Sequence, residues 1–339
     1  MLKHRKMSIS KNYSLDSAIL GETTSINPHG VDGEVRKLDI IDQVLPPTTK
    51  ISLTCNFGDL PAWLQDNVDI LKGYRRPTFS YVKCAQSLFY IHNESINIWS
   101  HLVGAAAFLF LAFTTHFYVF SKHSTLGWLD FLVFYVFLLG AMICLGFSST
   151  FHTLCCHSEK VCATWNRCDY VGIVTLIVGS FYPMVYYGFY CHNSLQILYL
   201  TLITVFGVAT ISVAVSSKFR SPRLRWFRTG LFLAMGLSAI VPLIHAIIIY
   251  GIHLCMDAIS LKHLLIMGAI YVVGALIYGA RIPERWYPGV FDIYGSSHQI
   301  FHFFVVTAAL VHYYGVIQAM GYWHSQNHDC STPPMKVAF

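Results

Sequence analysis

Residues 129–151 decide the fold, and they read LDFLVFYVFLLGAMICLGFSSTF. Only Asp130 is charged in this stretch. An apolar helix needs about 20 residues to cross the hydrocarbon core of a bilayer, and this stretch is long enough. The chain as a whole has 339 residues, of which 55% are hydrophobic and 12% are charged, a composition too apolar for a soluble fold of this size. The stretch therefore predicts a membrane-spanning helix.

Six further stretches have the same length and character, which predicts an all-α integral membrane protein with seven transmembrane helices. With the first stretch they occupy residues 102–120, 129–151, 169–190, 195–217, 229–251, 263–280 and 298–318. Four parts follow: a polar, disordered cytoplasmic tail over 1–58, a juxtamembrane segment over 59–100, the seven-helix domain over 101–320 and an extracellular tail over 321–339. Apolar residues at near-helical spacing beside Glu94 and Asn97 predict a short helix over 84–99 that lies along the membrane surface before the first span.

The positions of Lys and Arg predict the orientation. Of the 23 such residues, 11 precede the first span, and 2, 5 and 2 more lie in the loops on that same side. Only Lys122, Lys262 and Lys336 are left for the other side. By the positive-inside rule the N-terminus is cytoplasmic and the C-terminus extracellular, which is opposite to G-protein-coupled receptors. The distribution of the basic residues thus indicates the orientation of the chain in the membrane, and no nucleic-acid partner is expected.

This orientation brings several polar residues to the cytoplasmic face. Ser148 and His152 end the second span, Asp169 begins the third, and His298 and His302 begin the seventh. Because His298 and His302 are four residues apart, their rings project from one helical face, as two ligands of a single metal must. The chain has two such HxxxH pairs, the other being His324 and His328, and about one is expected by chance, so the spacing alone is a weak signal.

Three imidazoles with an open fourth position form the catalytic type of zinc site. We therefore expect Zn²⁺ bound by His152, His298 and His302, with water in the fourth position. Asp169 is placed to orient or deprotonate that water, and Ser148 to hydrogen bond to the aspartate, the water or a developing oxyanion. Ionisable groups in spans are rare and usually functional, which strengthens the hypothesis.

Other residues carry simpler interpretations. Arg228, at the cytoplasmic start of the fifth span, is expected to be an orientation charge, with an anionic lipid head or carboxylate as the alternative partner. The aromatic residues at 181–190 are interpreted as an interface belt. Cys191 and Cys255 fall in outer loops and are candidates for a disulfide.

The site residues lie in strings that resemble the progestin and adipoQ receptor family, related to haemolysin III. The matching strings are HNESINIWSHL from His92, SSTFHTLCCHSEKV from Ser148, DYVGI from Asp169, GSFYPMVYYGFYC from Gly179, ARIPERWYPGVFDIYGSSHQIFH from Ala280 and HYYGV from His312. Within that family the adiponectin receptors are the most similar. The resemblance implies seven helices, a cytoplasmic N-terminus and zinc on the three histidines, with Asp169 and Ser148 beside it.

The resemblance also implies function. The family is similar to alkaline ceramidases and is linked to hydrolysis of ceramide to sphingosine and a fatty acid, and to signalling by adiponectin-like ligands. We therefore expect a zinc-binding receptor of the plasma membrane with lipid-amide hydrolase capacity. The alternatives are a non-catalytic receptor with structural zinc, which signals through a cytoplasmic adaptor on the N-terminal tail, and a regulator of zinc and lipid homeostasis. Zinc transport is disfavoured, because no chain of ionisable residues continues across the bilayer.

Overall fold

The structure, a computed structural model, describes residues 52–325 and Cys330. These residues belong to one compact unit that begins at Ser52. The predicted cytoplasmic tail lies outside the described residues up to residue 51, and so does most of the predicted extracellular tail. The orientation of the termini therefore stays a prediction.

Seven helices in the described part of the chain are long and apolar enough to cross a membrane, which confirms the predicted all-α fold. These spans are Ser95–Lys122, Trp128–Leu154, Glu159–Gly188, Asn193–Ala214, Pro222–Tyr250, Leu261–Ala280 and Ser297–His324. The first span continues past its α-helix, Ser95–Thr114, through a π-helical turn, Thr115–Val119. The fifth span consists of two consecutive α-helices, Arg225–Leu237 and Ile240–Tyr250, and a short helix, Ile252–Ala258, follows it.

Every span begins before the stretch marked by hydropathy. The largest difference is in the third span, which begins at Glu159 instead of residue 169. Its first turns carry Glu159, Lys160 and Arg167, and these charged residues hide a helix from a hydropathy count although they do not break it. Asp169 therefore lies nearly three turns inside the helix and does not begin it.

The segment before the first span differs from the single surface helix predicted over 84–99. It contains a two-residue antiparallel pairing of Thr54–Cys55 with Tyr74–Arg75, then a short helix, Tyr81–Gln86. A 3₁₀ turn, Ser87–Phe89, and a break follow before the first span begins at Ser95. Glu94 and Asn97 thus lie at the start of a transmembrane helix and not on the polar face of a surface helix. We refer to residues 52–94 as the strap.

The second and third spans form the centre of the bundle. Half of the most apolar window of each is buried, against 17% for the first, fifth and sixth spans. Glycines allow the two helices to touch: a Cβ on Gly140 would lie 2.9 Å from the Thr175 carbonyl oxygen, and one on Gly172 would lie 2.9 Å from the Cys144 Cα. Small residues at such contacts let membrane helices approach closely. The contact fixes Ser148 and His152 relative to Asp169.

We refer to the end of the bundle where the second span finishes as the site end. At the opposite end, Tyr187 is buried and its hydroxyl donates to Asp130 at 3.0 Å, while His324 Nε2 lies 2.9 Å from the same oxygen. Phe181 and Tyr186 are buried as well, so the interface-belt interpretation of residues 181–190 is wrong for these three side chains. The missed signal was Asp130, a charge inside an apolar span that needs a buried partner.

The disulfide prediction at this opposite end is also wrong. Cys191 is joined to Cys330 by a disulfide, whereas Cys255 is a buried free thiol in the helix that follows the fifth span. A second disulfide joins Cys155 to Cys162 across the loop between the second and third spans. Loop position alone did not determine which cysteines meet.

Candidate metal centre

Three histidine side chains meet at the site end of the bundle. His152 comes from the last turn of the second span, and His298 and His302 come from the first two turns of the seventh. The Nε2 atoms of His298 and His152 are 3.2 Å apart, and those of His302 and His298 are 3.1 Å apart. Together the three form a group that could hold a metal ion. The histidines singled out from the sequence are therefore brought together.

Hydrogen bonds fix the tautomers of two of these rings. Nδ1 of His152 lies 2.7 Å from a carboxylate oxygen of Glu94, and Nδ1 of His302 lies 3.0 Å from the main-chain oxygen of Asn97. Both oxygens are acceptors, so each Nδ1 carries the proton and donates. The Nε2 atom of each of these two rings therefore carries no proton and presents a lone pair.

A cation could satisfy the lone pairs that face one another at this point. His298 has at most one proton on its Nε2, so it can donate to only one of its two neighbours, and His152 and His302 present acceptors toward the same point. Buried polar atoms without a partner are costly, and His152 and His302 are both buried. A metal ion at the point where the three nitrogens converge would satisfy all of them at once.

The His302 ring is held on its other side by His101. Their rings stack with centroids 3.6 Å apart and planes 9° from parallel, and His101 is buried. Neither ring nitrogen of His101 has a hydrogen-bond partner within residues 52–325, and the residue lines the cavity described below. His101 therefore restrains His302 through ring contact and not through a hydrogen bond.

Arg75 holds the backbone that carries His152. Its guanidinium donates to the main-chain oxygens of His152 and Thr153, the latter at 2.9 Å, and to the Ser87 hydroxyl at 2.8 Å. The last carbonyls of an α-helix have no partner within the helix, and a cation at that end also interacts favourably with the helix dipole. The strap thereby caps the second span where its metal ligand lies.

A cavity of about 620 Å³ opens beside the histidines. Ser148 and Asp169 line it together with the three histidines, and both are buried. Asp169 lies close to both Ser148 and His152. The cavity thus brings a carboxylate and a hydroxyl to the three histidines and leaves room for a small ligand beside them.

Arg228 lines the same cavity. Its guanidinium donates to the main-chain oxygens of Phe219 and Ser221, both at 2.7 Å, and lies 5.7 Å from the centre of the Tyr170 ring. Its Nε has no partner among the described residues. Arg228 is therefore a buried cation with one free donor, and not only an orientation charge at the membrane surface.

Sequence reasoning missed three residues of this centre: Glu94, Asn97 and His101. They are spaced i, i+3 and i+7, which places them on one face of the first span. That polar face at the start of an apolar helix is the signal that could have found them. This signal was obscured because hydropathy predicts that the first span begins at residue 102, after all three residues.

Two groups of the strap beside the centre have displaced pKa values. Burial, together with the nearby charge of Arg75, lowers the pKa of His92 to about 3. Burial would raise the pKa of Glu94, but His152 and Asn97 outweigh burial and lower it. His92 is therefore neutral and Glu94 ionised at neutral pH, consistent with the main-chain N–H of Glu94 donating to His92 Nδ1 at 3.1 Å.

Comparison with known proteins gives consistent matches. The family model described as haemolysin-III related matches residues 89–313, which include every residue of the metal centre. The chain is 43% identical to the adiponectin receptor protein of Drosophila melanogaster, with 84% of this chain and 63% of that protein covered. It is 43% identical to progestin and adipoQ receptor-like protein 1 of Caenorhabditis elegans, with 77% and 59% covered.

A fungal relative matches over more of its own length. The chain is 40% identical to the ADIPOR-like receptor IZH2 of Saccharomyces cerevisiae, with 78% of this chain and 83% of that protein covered. By contrast, the chain spans about three fifths of the length of the two animal relatives.

Proposed function

The chain belongs to the haemolysin-III-related family that includes the progestin and adipoQ receptors, and on that basis we propose that it is a zinc-binding receptor of adiponectin-receptor type with lipid-amide hydrolase capacity. The observation that carries the proposal is the convergence of three histidine Nε2 atoms on a cavity that also holds a carboxylate and a hydroxyl. Seven apolar spans make it a multi-pass membrane protein, and we assign it to the plasma membrane.

The donor set supports the choice of zinc. Nitrogen ligands lie about 2.0–2.1 Å from Zn²⁺, so two of them in a tetrahedral site are about 3.3 Å apart. The two measured Nε2 separations, 3.2 and 3.1 Å, are close to that value. When bound, the ion would acidify a water molecule and polarise a substrate carbonyl.

The roles of the protein side chains follow from their positions. Asp169 accepts a proton as the water oxygen attacks the amide carbonyl carbon, and returns it to the nitrogen as the C–N bond breaks. Ser148 donates to the oxyanion that develops in that step. The products are a fatty acid and a sphingoid amine. Arg228, with its free Nε donor, binds the carboxylate of the acid or an anionic lipid head.

Turnover of ceramide tests this function. The purified protein in nanodiscs is expected to release fatty acid and sphingosine, measured by lipid mass spectrometry. Asp169→Asn, which keeps the three histidines, is expected to retain zinc and to lose at least about 100-fold in rate, since general acid–base catalysis contributes about 10²–10⁴-fold. Equal rates in the wild type and in Asp169→Asn would reject the chemistry.

A second candidate function is a non-catalytic receptor with structural zinc. It is favoured by Arg75 of the strap, which bonds the backbone of a metal ligand and so links the metal centre to the segment that follows the N-terminal tail. In this case an extracellular adiponectin-like ligand changes the conformation of the helix bundle, and a cytoplasmic adaptor bound to the N-terminal tail detects that change. Ligand-dependent signalling that survives Asp169→Asn, with zinc retained, would favour it over catalysis.

A further inference from the structure

We propose that Glu94 is a positioning residue for the metal centre, and that Glu94 at the end of the strap, together with Asn97 and His101 of the first span, orients ligands supplied by the second and seventh spans. The proposal rests on the metal site of the proposed function but does not depend on lipid hydrolysis. We refer to these three residues as the orienting face.

Glu94 acts on His152 through one carboxylate oxygen. Its Oε2 accepts from His152 Nδ1 at 2.7 Å and from the Asn97 side-chain amide at 2.7 Å. The amide thus holds the carboxylate while the carboxylate holds the imidazole. Metal-bound histidines commonly donate their second N–H to a carboxylate, which fixes the ring orientation and raises the basicity of the ligand nitrogen.

The same face acts on His302 in two ways. The main-chain oxygen of Asn97 accepts from His302 Nδ1 at 3.0 Å, and the Ser100 hydroxyl lies 3.3 Å from the same nitrogen. His101 covers the flat side of the ring. Two of the three histidine rings therefore take their tautomer from Glu94 and Asn97, neither of which is itself a metal ligand.

The charge of Glu94 gives this arrangement a further effect. Three neutral imidazoles do not compensate the charge of a divalent cation, and a buried charge is costly unless an opposite charge lies nearby. Glu94 lies one imidazole away from the metal position and lines the same cavity. A carboxylate there compensates part of the charge and so favours metal binding over the empty site.

Two substitutions separate charge from hydrogen bonding. Glu94→Gln keeps one oxygen that can accept from both His152 and Asn97, but it removes the charge. Glu94→Ala removes the acceptor and leaves His152 Nδ1 without its partner. The matched control is Asp130→Asn, which makes the same carboxylate-to-amide change in a carboxylate–imidazole pair of 2.9 Å. That pair lies 22 positions earlier on the second span, about 30 Å from His152 along the helix.

The probe is metal binding and not activity. Zn²⁺ affinity is measured by chelator competition on purified protein in nanodiscs, and the visible absorption of the Co²⁺-loaded protein reports the ligand geometry. We expect affinity to fall about 10-fold in Glu94→Gln and about 100-fold in Glu94→Ala, the range found for partners of metal ligands. The Co²⁺ spectrum should change in both variants and stay unchanged in Asp130→Asn.

The outcomes are distinct from those that test hydrolysis. If Glu94→Gln and Glu94→Ala bind Zn²⁺ as tightly as the wild type, with unchanged Co²⁺ spectra, Glu94 only fills space beside His152 and the proposal is wrong. If Glu94→Ala does not fold, the zinc affinity and the Co²⁺ spectrum of Glu94→Gln decide the question alone. A wild type that binds zinc with the expected variant series but does not cleave ceramide would overturn the hydrolase function and leave this inference standing.

Discussion

The guanidinium of Arg75 donates a hydrogen bond to the main-chain oxygen of His152, so a residue of the strap holds the helix end that presents a metal ligand. The same guanidinium donates a second hydrogen bond to the main-chain oxygen of Thr153 and a third to the Ser87 hydroxyl. Arg75 is buried, whereas its neighbour Arg76 is exposed. The contrast provides a matched pair of positions for testing what the strap contributes.

Arg75→Lys is expected to destabilise the protein and weaken metal binding. A lysine ammonium cannot reproduce three bonds from a planar fork, and each hydrogen bond to a charged group contributes about 1.5–3 kcal/mol. We expect a loss of about 2 kcal/mol in the free energy of unfolding and a several-fold loss in zinc affinity. Thermal melting and chelator competition measure these two effects. Arg76→Lys should be neutral in both, and equal behaviour of the two variants would show that the strap does not hold the site.

Gly172→Ala is expected to disturb the site from a distance. The added methyl group would lie 2.9 Å from the Cys144 Cα, so the second and third spans must separate. Overpacking of this kind costs about 1–3 kcal/mol and would shift His152 relative to Asp169. The measurement is thermal stability together with zinc content.

The control for that change is Gly146→Ala on the second span. A Cβ there meets nothing within 4 Å. Alanine also has the higher helix propensity, so this variant should be as stable as the wild type or slightly more stable. Similar losses in both glycine variants would argue against the close helix contact as the cause.

His101→Ala is expected to weaken metal binding by loosening His302. Ring stacking contributes about 0.5–1.5 kcal/mol beyond the area that it buries. His101→Phe keeps a flat ring against His302 and should retain most of the affinity, because the stack and not a hydrogen bond restrains His302. If the phenylalanine variant binds zinc as poorly as the alanine variant, a ring nitrogen of His101 is needed instead.

We expect His92 to contribute to the pH dependence of the free energy of unfolding. Its pKa is about 3 in the folded protein, below the ordinary value of 6.5, so the unfolded chain binds more protons between these values. The contribution is fully present above pH 6.5 and is lost as the pH falls toward 3. Thermal melts in a chelator, which removes the effect of metal release, should show wild-type stability falling below pH 6.5.

His92→Gln is expected to flatten that fall, because glutamine does not titrate. His192→Gln changes an exposed histidine and provides the control. An unchanged acid slope in His92→Gln would mean that another group governs the decline.

The sequence was sufficient to predict the seven-helix fold and the convergence of the three histidines. Residue 152 is near the end of one apolar stretch and residues 298 and 302 begin another, so the membrane forces them toward the same depth. The same reasoning failed for Glu94, because hydropathy marks only the apolar part of a helix and the first span begins seven residues before its predicted start. The third span shows the same error at Asp169.

Contacts between distant side chains were beyond sequence reasoning. Tyr187 was interpreted as part of an interface belt because aromatic residues near span ends usually are, and its bond to Asp130 depends on how two helices are rotated. The partner of Cys191 depends on where residue 330 returns to the bundle. A local sequence pattern determines neither how a helix is rotated about its axis nor where the chain returns to the bundle.

The central claim is that His152, His298 and His302 bind one zinc ion. X-ray absorption at the zinc edge, with metal content measured on the same purified sample, tests it most directly. We predict one zinc per chain with nitrogen neighbours at about 2.0 Å, and loss of that zinc from a folded His298→Ala variant. A folded wild-type protein without zinc, or a His298→Ala variant that keeps zinc in the same coordination, would contradict the account.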